Sequence, residues 1–482
     1  MSSDRRRLLI AVVATLAILT PLAVLWQQSR LPSTYSVMDM GYEDYGGGSK
    51  TPHDGMGTHH ELMGRSIATL TADPARKADV SVTLTARRQR FTLASGQSFN
   101  GYTINGTSPG PTIRAVEGQL IEVHLVNDNV AAGITLHWHG VDVPNAEDGV
   151  AGVTQDAVKP GETYTYRFVA DHAGTYWYHS HQVSHEQVQR GLFGALVIEP
   201  KAPAIADAVA VLHLYGGQGT INGAAQLRVP AKDGEKVRVR LVNTDNGATG
   251  IWASPGPYRV LAIDARDLNG PTPVSNQTVR LTAGGRVDLE VTAPARVEVG
   301  GVGAVIVGTP TPDTNQPAQL VDFLTYGAPA PLPFDPAHAD RRFTYSIGRR
   351  PGFVDGRPGL WWSINGHLFP DVPMFVVEEG DVVRMHISNH SGAIHPMHLH
   401  GHHAVVLSRD GVKATGSPWW VDSLDVASGH SYDIAFVADN PGIWMDHCHN
   451  LPHAAQGLVA HLMYAGLTEP YRVGGKADNE PE

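Results

Sequence analysis

Residues Gly118–Asn127 read GQLIEVHLVN: a glycine, then polar and apolar residues that largely alternate, then a closing asparagine. The same phrase returns as GEKVRVRLVN at Gly234–Asn243 and as GDVVRMHISN at Gly380–Asn389. Alternation with period two marks a half-buried strand, whose successive side chains face opposite ways. Ahead of each copy stands an Asn-Gly tetrad: Thr103-Ile104-Asn105-Gly106, Thr220-Ile221-Asn222-Gly223 and Ser363-Ile364-Asn365-Gly366. One supersecondary unit is therefore used three times. The copies lie more than 100 residues apart, too far for a solenoid repeat and right for a β-sandwich. The reading is an all-β chain of three antiparallel sandwich domains, 67–200, 201–338 and 339–470, closed by a frayed polar tail at 471–482.

Composition agrees with short strands joined by turns. The 482 residues include 52 Gly and 33 Pro, and only 17% are charged, which argues against a helical bundle. A net charge of −11 with no long basic run excludes a nucleic-acid backbone as partner. The chain holds 25 His and a single Cys, so it has no intramolecular disulfide and many candidate metal ligands.

The N-terminus carries Arg5, Arg6 and Arg7 and then runs uncharged from Leu8 to Trp26, enough to cross a bilayer core. Basic residues ahead of an apolar run send the rest of the chain across the membrane. Residues 1–30 are therefore a signal or a membrane anchor, and Arg5-Arg6-Arg7-Leu8-Leu9 resembles a twin-arginine export signal. No small-x-small cleavage site follows Trp26, which favours retention as an anchor through residues 8–26 over secretion after cleavage. Residues 31–66 lack an apolar period and read as a flexible linker. That linker contains Met38, Met40, His53, Met56, His59, His60 and Met63, which serve either as soft Cu(I) ligands or as solvated linker residues.

Four clusters carry the chemistry: Leu136-His137-Trp138-His139-Gly140, Trp177-Tyr178-His179-Ser180-His181, the run from His395 to His402, and His447-Cys448-His449 with His453. Five His-x-His triplets occur, all within these clusters, and strand geometry puts the two rings of each triplet on one face. In His447-Cys448-His449 the same period turns the thiolate to the opposite face, so one strand serves two sites. A thiolate with two imidazoles, Cys448 with His395 and His453, is the ligand set of a blue-copper centre. Zinc fits poorly, because structural zinc prefers four ligands, often several of them Cys. Between Ala202 and Pro336 the only histidine is His213, read as a strand residue of a metal-free middle domain. His172, His185, His402, His403 and His461 are likewise read as structural.

Taken in order, these four clusters resemble those of the three-domain multicopper oxidases, the family of laccases and bacterial cuprous oxidases, over residues 85–465. The resemblance implies cupredoxin-like Greek-key sandwiches and four copper ions. It implies a type 1 copper on His395, Cys448 and His453, and a type 2 copper on His137 and His398. It implies a type 3 pair on His139, His179, His181, His400, His447 and His449, with the trinuclear cluster between domains one and three. The axial position of the type 1 site falls on Leu458, which has no lone pair, so the potential should be high. Ala454 stands where many bacterial members have a carboxylate, whereas Asp148 matches the family's other acid near the cluster and is the expected proton donor. Cys448 is the expected electron path.

Together these features predict an extracytoplasmic enzyme that couples four one-electron oxidations to reduction of O2 to water, and the family resemblance implies a monomer. Leu458 and the lack of a Met-rich insertion near the third-domain motifs favour phenols and aromatic amines as electron donors. The alternative is a cuprous oxidase for copper tolerance, favoured by the Met and His residues of the linker. A third reading, a copper-binding or electron-transfer protein without catalysis, is disfavoured by the full set of cluster ligands.

Overall fold

The structure is a computed structural model, and it describes residues 3–48, 64–202 and 205–482. Each of the three repeated strands, Leu120–Asn127, Lys236–Asn243 and Val382–Asn389, lies in the interior of a sheet. Each is paired antiparallel on one side and parallel on the other: Leu120–Asn127 with Thr163–Val169 and Val80–Thr92, Lys236–Asn243 with Arg286–Thr292 and Ala206–Tyr215, Val382–Asn389 with Ser431–Val437 and Arg341–Val354. The sandwiches are thus mixed rather than purely antiparallel.

The repeated tetrads have a shared physical reason. Asn105-Gly106, Asn222-Gly223 and Asn365-Gly366 all adopt positive φ, the backbone of a type I′ hairpin turn that Asn and Gly tolerate best. Each Asn side chain also clamps the strand beside it. Asn105 Oδ1 accepts from the Thr85 amide at 2.7 Å, Asn222 from Val211 and Asn365 from Ser346, both at 2.8 Å. The asparagine closing each repeated strand pins the loop after it: Asn127 Nδ2 donates to the Val158 carbonyl, Asn243 to Thr282 and Asn389 to Val426.

Domain one stacks the sheet holding Leu120–Asn127 against strands Ile113–Val116, Phe193–Glu199, Gly174–His179 and His137–His139. In domain three the second sheet runs through Tyr42–Asp44, Pro373–Val377, Val459–Tyr464, Ile443–Cys448, His395–Leu399 and Ser423–Val426. Domains one and three share one continuous apolar core, while the middle domain has its own. The seam between one and three therefore lies inside the protein, and both sets of His-bearing strands end there.

The helix Ser3–Gln28 buries none of its residues and is long and apolar enough to cross a membrane, as a signal or an anchor. Two expectations need correction. Residues 34–48, read as part of a flexible linker, are folded onto domain three: Tyr42–Asp44 adds a parallel edge strand beside Pro373–Val377, and Val37 and Met40 are buried. His53, Met56, His59, His60 and Met63 lie outside the described residues. The tail is not frayed either. Val473–Gly474 pairs with Thr34–Tyr35, and Asn479 Oδ1 accepts from the Ala157 amide at 2.8 Å. Both segments lack an apolar period because each docks by a few isolated side chains rather than by a repeating face.

Candidate metal centre

The strand Ile443–Cys448 and the residues just after it carry ligands for two places at once. Cys448 points into the shared core, whereas His447 and His449 face the seam with domain one. A chain reversal then brings His453 back on the short helix Leu451–Ala454. His395 opens the neighbouring strand His395–Leu399, antiparallel to Ile443–Cys448. The result is a triangle: Cys448 Sγ lies 3.5 Å from His395 Nδ1 and 3.7 Å from His453 Nδ1, and the two Nδ1 atoms are 3.2 Å apart. Three donor atoms converge with no hydrogen atom needed between them, as ligands around one ion do.

Burial sets the charge of this triangle. It pulls His395 down to about 3 and His453 down to about 4, helped by neighbouring positive charge, so both rings are neutral donors. Burial pushes the Cys448 thiol well up, a cost that only a bound cation reverses. Leu458 is fully buried in the shared core, and its carbonyl accepts from the Cys448 amide at 3.1 Å. Trp362, unnoticed in the sequence, packs against both His395 and His453 with ring centroids 4.7 and 4.5 Å away. The Arg349 guanidinium stacks on the Trp362 ring at 3.9 Å. Ser391 Oγ sits 2.8 Å from His395 Nε2 and fixes that ring from behind.

Of the nine remaining cluster histidines, all but His402 meet in the seam, and these eight are buried. Their donor atoms form three close groups: His137 with His398 and His139, then His139, His179 and His449, then His181, His400 and His447. His137 Nε2 and His398 Nε2 are 3.4 Å apart, and His400 Nε2 and His447 Nε2 are 3.2 Å apart. The outward ring nitrogens are held by acceptors. Nδ1 of His179 donates to the Ser180 carbonyl, that of His181 to Pro481, that of His398 to Asp422 and that of His137 to Asp148, all at 2.8–3.0 Å. These bonds place the hydrogen on Nδ1 and leave Nε2 as a bare lone pair facing inward. His139 is turned the other way, its Nε2 bonded to Asp422 Oδ1 and its Nδ1 inward.

Five inward or free atoms, His139 Nδ1, His179 Nε2, His181 Nε2 and both nitrogens of His449, are buried with no hydrogen-bond partner. Each such orphan costs about 1–3 kcal/mol, a penalty relieved only if something binds there. Burial, followed by the proximity of other rings, pulls His179, His181, His400, His447 and His449 well below the ordinary imidazole value. Neutral, convergent imidazoles suit divalent or monovalent copper. The residues present therefore fit a copper cluster.

Asp148 lies against two of these rings: its Oδ2 accepts from His400 Nδ1 at 3.0 Å, and its Oδ1 is 3.1 Å from His137 Nδ1. It is 1% exposed. Further residues of the site were not legible in the sequence. Asp422 accepts from His139 and forms a fully buried ion pair with Arg286 of the middle domain. Burial alone would raise the Asp422 carboxyl, but Arg286 and the two ring bonds outweigh it and hold it well below the carboxylate range. Asp264, also from the middle domain, accepts from the amides of Asp422 and Ser423. The middle domain is thus part of the site's frame. Glu482 reaches the seam from the tail. Its Oε1 lies 3.3 Å from His447 Nδ1, Ser184 Oγ donates to its Oε2 at 2.7 Å, and burial lifts it to about 8.

Three of the six histidines read as structural are held by bonds of their own. His213 bonds Thr244 Oγ1 and the Gln189 carbonyl, His402 bonds Tyr464 Oη and the His400 carbonyl, and His403 bonds Asp142.

Known proteins are similar to this chain. Two family models, each described as multicopper oxidase, match residues 85–203 and 336–466. The chain is similar to Laccase-1 of Botryotinia fuckeliana, 29% identical over 78% of this chain and 80% of that one. It is 26% identical to the multicopper oxidase MmcO of Mycobacterium tuberculosis, over 82% and 88% of the two chains. Among solved structures, the multi-copper oxidase from Pseudomonas thermotolerans superposes with a TM-score of 0.67 at 26% identity, covering 81% of this chain and all of that one.

Proposed function

Since this chain belongs to the multicopper oxidases, copper-dependent oxidoreductases that use O2 as acceptor, we propose that it is a laccase-like oxidase of phenols and aromatic amines. In this reading His395, Cys448 and His453 hold the type 1 copper. His137 and His398 hold the type 2 copper, and His139, His179, His181, His400, His447 and His449 hold the type 3 pair, four coppers in all. The observation that carries the reading is the sharing of His447-Cys448-His449 between the triangle and the seam. Copper bound at these two places supplies one-electron oxidation of the donor and four-electron reduction of O2.

The protein's own groups supply the rest. Cys448 links the two places through its backbone, and its carbonyl accepts from His447 Nδ1 at 3.3 Å, giving a second short path. The half-buried His453, packed on the buried Trp362, offers the edge at which a donor's electron would enter. Asp148, within bonding distance of His400, is the group best placed to hand protons into the seam. Leu458, buried in the shared core near this triangle, would offer a bound copper no lone pair, which favours a high potential and phenolic donors. The apolar helix supports export, with Arg5-Arg6-Arg7 pointing to the twin-arginine route, and the working unit is taken as a monomer. A second reading, oxidation of Cu(I) for copper tolerance, is favoured by the thioether and imidazole side chains of residues 38–63.

The test is oxygen uptake by the copper-loaded protein with a methoxyphenol in one cell and Cu(I) in the other, with Cys448→Ser as control. Fast phenol turnover with slow Cu(I) turnover is expected. The reverse would move the assignment to copper detoxification, and no uptake from either would remove the oxidase.

A further inference from the structure

His461 has no role in the chemistry above, yet its surroundings call for a ligand. It lies on strand Val459–Tyr464, 3% exposed, and its Nε2 is buried with no hydrogen-bond partner. Burial lowers it to about 4, so the ring is neutral and keeps a free lone pair. Its neighbours are thioethers. In register it stands opposite Met445 on one side and Met374 on the other, so the three side chains project from one face of the sheet. Met40, from the N-terminal segment that folds over this face, is buried in the same apolar cluster as Met445. Met40, Met445 and His461 line a single cavity of about 480 Å³.

A buried imidazole flanked by methionines is an unfavourable way to build a core. An unsatisfied buried nitrogen costs about 1–3 kcal/mol, and an aliphatic residue would fill the same place without that loss. A soft cation offsets it: neutral thioethers with one imidazole select Cu(I), whereas Cu(II) and Zn(II) prefer harder or charged ligands. We propose that His461, Met445 and Met40, with Met374 next to them, form a Cu(I)-binding site separate from the ligands of the triangle and the seam. Met445 is two residues before His447 on the same strand, so the site adjoins the seam at about 7 Å along the chain. None of these four residues holds copper in the laccase-like reading, and only Met40 belongs to the residues 38–63 that favour the Cu(I) reading, so the site stands whichever donor the enzyme oxidises.

Ag(I), a redox-inert stand-in for Cu(I), is added to the copper-loaded full chain, and bound silver per chain is counted by native mass spectrometry. Wild type should hold one silver ion more than His461→Leu, and Met445→Leu should weaken that ion's retention at least tenfold against added methionine. Residues 49–63 contribute equally to both proteins, so the difference isolates the cavity. The near-isosteric Met40→Leu/Met445→Leu pair, checked for intact blue absorbance, keeps the test open if His461→Leu fails to fold. Equal silver in wild type and the folded variants would overturn the proposal. So would a silver-soaked crystal with no anomalous peak beside His461 Nε2.

Discussion

Replacing Arg286 by Met should destabilise the metal-free protein by about 4 kcal/mol, the usual range for removing one partner of a fully buried ion pair being about 3–5 kcal/mol. The guanidinium is wholly buried, donates to both Asp422 oxygens, and donates through Nε to the Thr175 carbonyl at 3.1 Å. Met fills much of the volume but leaves the Asp422 carboxylate facing the core with only ring and hydroxyl partners. Asp422→Asn should cost less, about 2 kcal/mol, because Arg286 keeps Asp264 Oδ1 at 3.4 Å. The double variant lacks both charges, so its loss should fall short of the sum of the single losses by about 2 kcal/mol or more. Urea unfolding of the four metal-free proteins measures this directly. Because Asp422 also holds His139 and His398, Arg286→Met should release copper to a chelator about 10–100-fold more easily than wild type. A coupling below about 0.5 kcal/mol, or unchanged copper retention, would refute the claim that the middle domain frames the cluster through this pair.

Three other outcomes are expected. Burial, offset in part by Ser36 and Arg472, raises Glu469 to about 7 from 4.5, so the folded state keeps a proton that the unfolded chain gives up first. This residue's contribution is therefore complete below pH 4.5 and declines by about 3 kcal/mol as pH rises through 7; Glu469→Gln should flatten that part of the urea midpoint profile. Leu458→Met should lower the type 1 potential by about 60 mV or more, a tenfold change in the one-electron equilibrium, read by redox titration of the blue absorbance. Asp148→Asn should cut oxygen uptake by about 100-fold while leaving the blue absorbance in place, and near-normal turnover would remove Asp148 from the proton path.

The fold was legible because each repeat carries its own local reason. Asn105, Asn222 and Asn365 force the same turn and clamp the same neighbouring strand, and these are contacts a sequence period can reveal. The His-x-His pairs and the opposed Cys448 were legible for the same cause, since strand period two fixes which side chains share a face, whereas the full grouping rested on the family resemblance and His453 sits on a short helix that no strand period reveals. Asp422, Arg286 and Asp264 were not. Asp422 meets the other two from more than 100 residues away in another domain, and no spacing rule links them. The docked segment 34–48 was missed because its hold on domain three depends on Val37, Met40 and the Ser36–Glu469 contact, singly unremarkable and without a period. Glu482 was missed because a polar terminus carries no sign of burial until Ser184 and His447 are seen around it.

The strand Ile443–Cys448 also explains why the two copper places cannot drift apart in evolution or in engineering. Its odd positions, Met445 and His447 with His449 beyond, face away from the shared core, and its even positions, Trp444 and Cys448, face into it. The distance from the thiolate to the cluster rings is thus a matter of bond lengths, not of packing. A one-residue insertion between Trp444 and His447 would reverse every side chain beyond it. Cys448 would then point at Asp422 and the domain-one rings, His447 and His449 would enter an apolar core beside Met397 and Leu424, and both places would be lost together. An insertion after Ala465, past the same sheet, shifts no ligand and should leave copper content and blue absorbance intact. Copper lost from one place only by the first insertion would show that the two are held by separate elements rather than by this one strand.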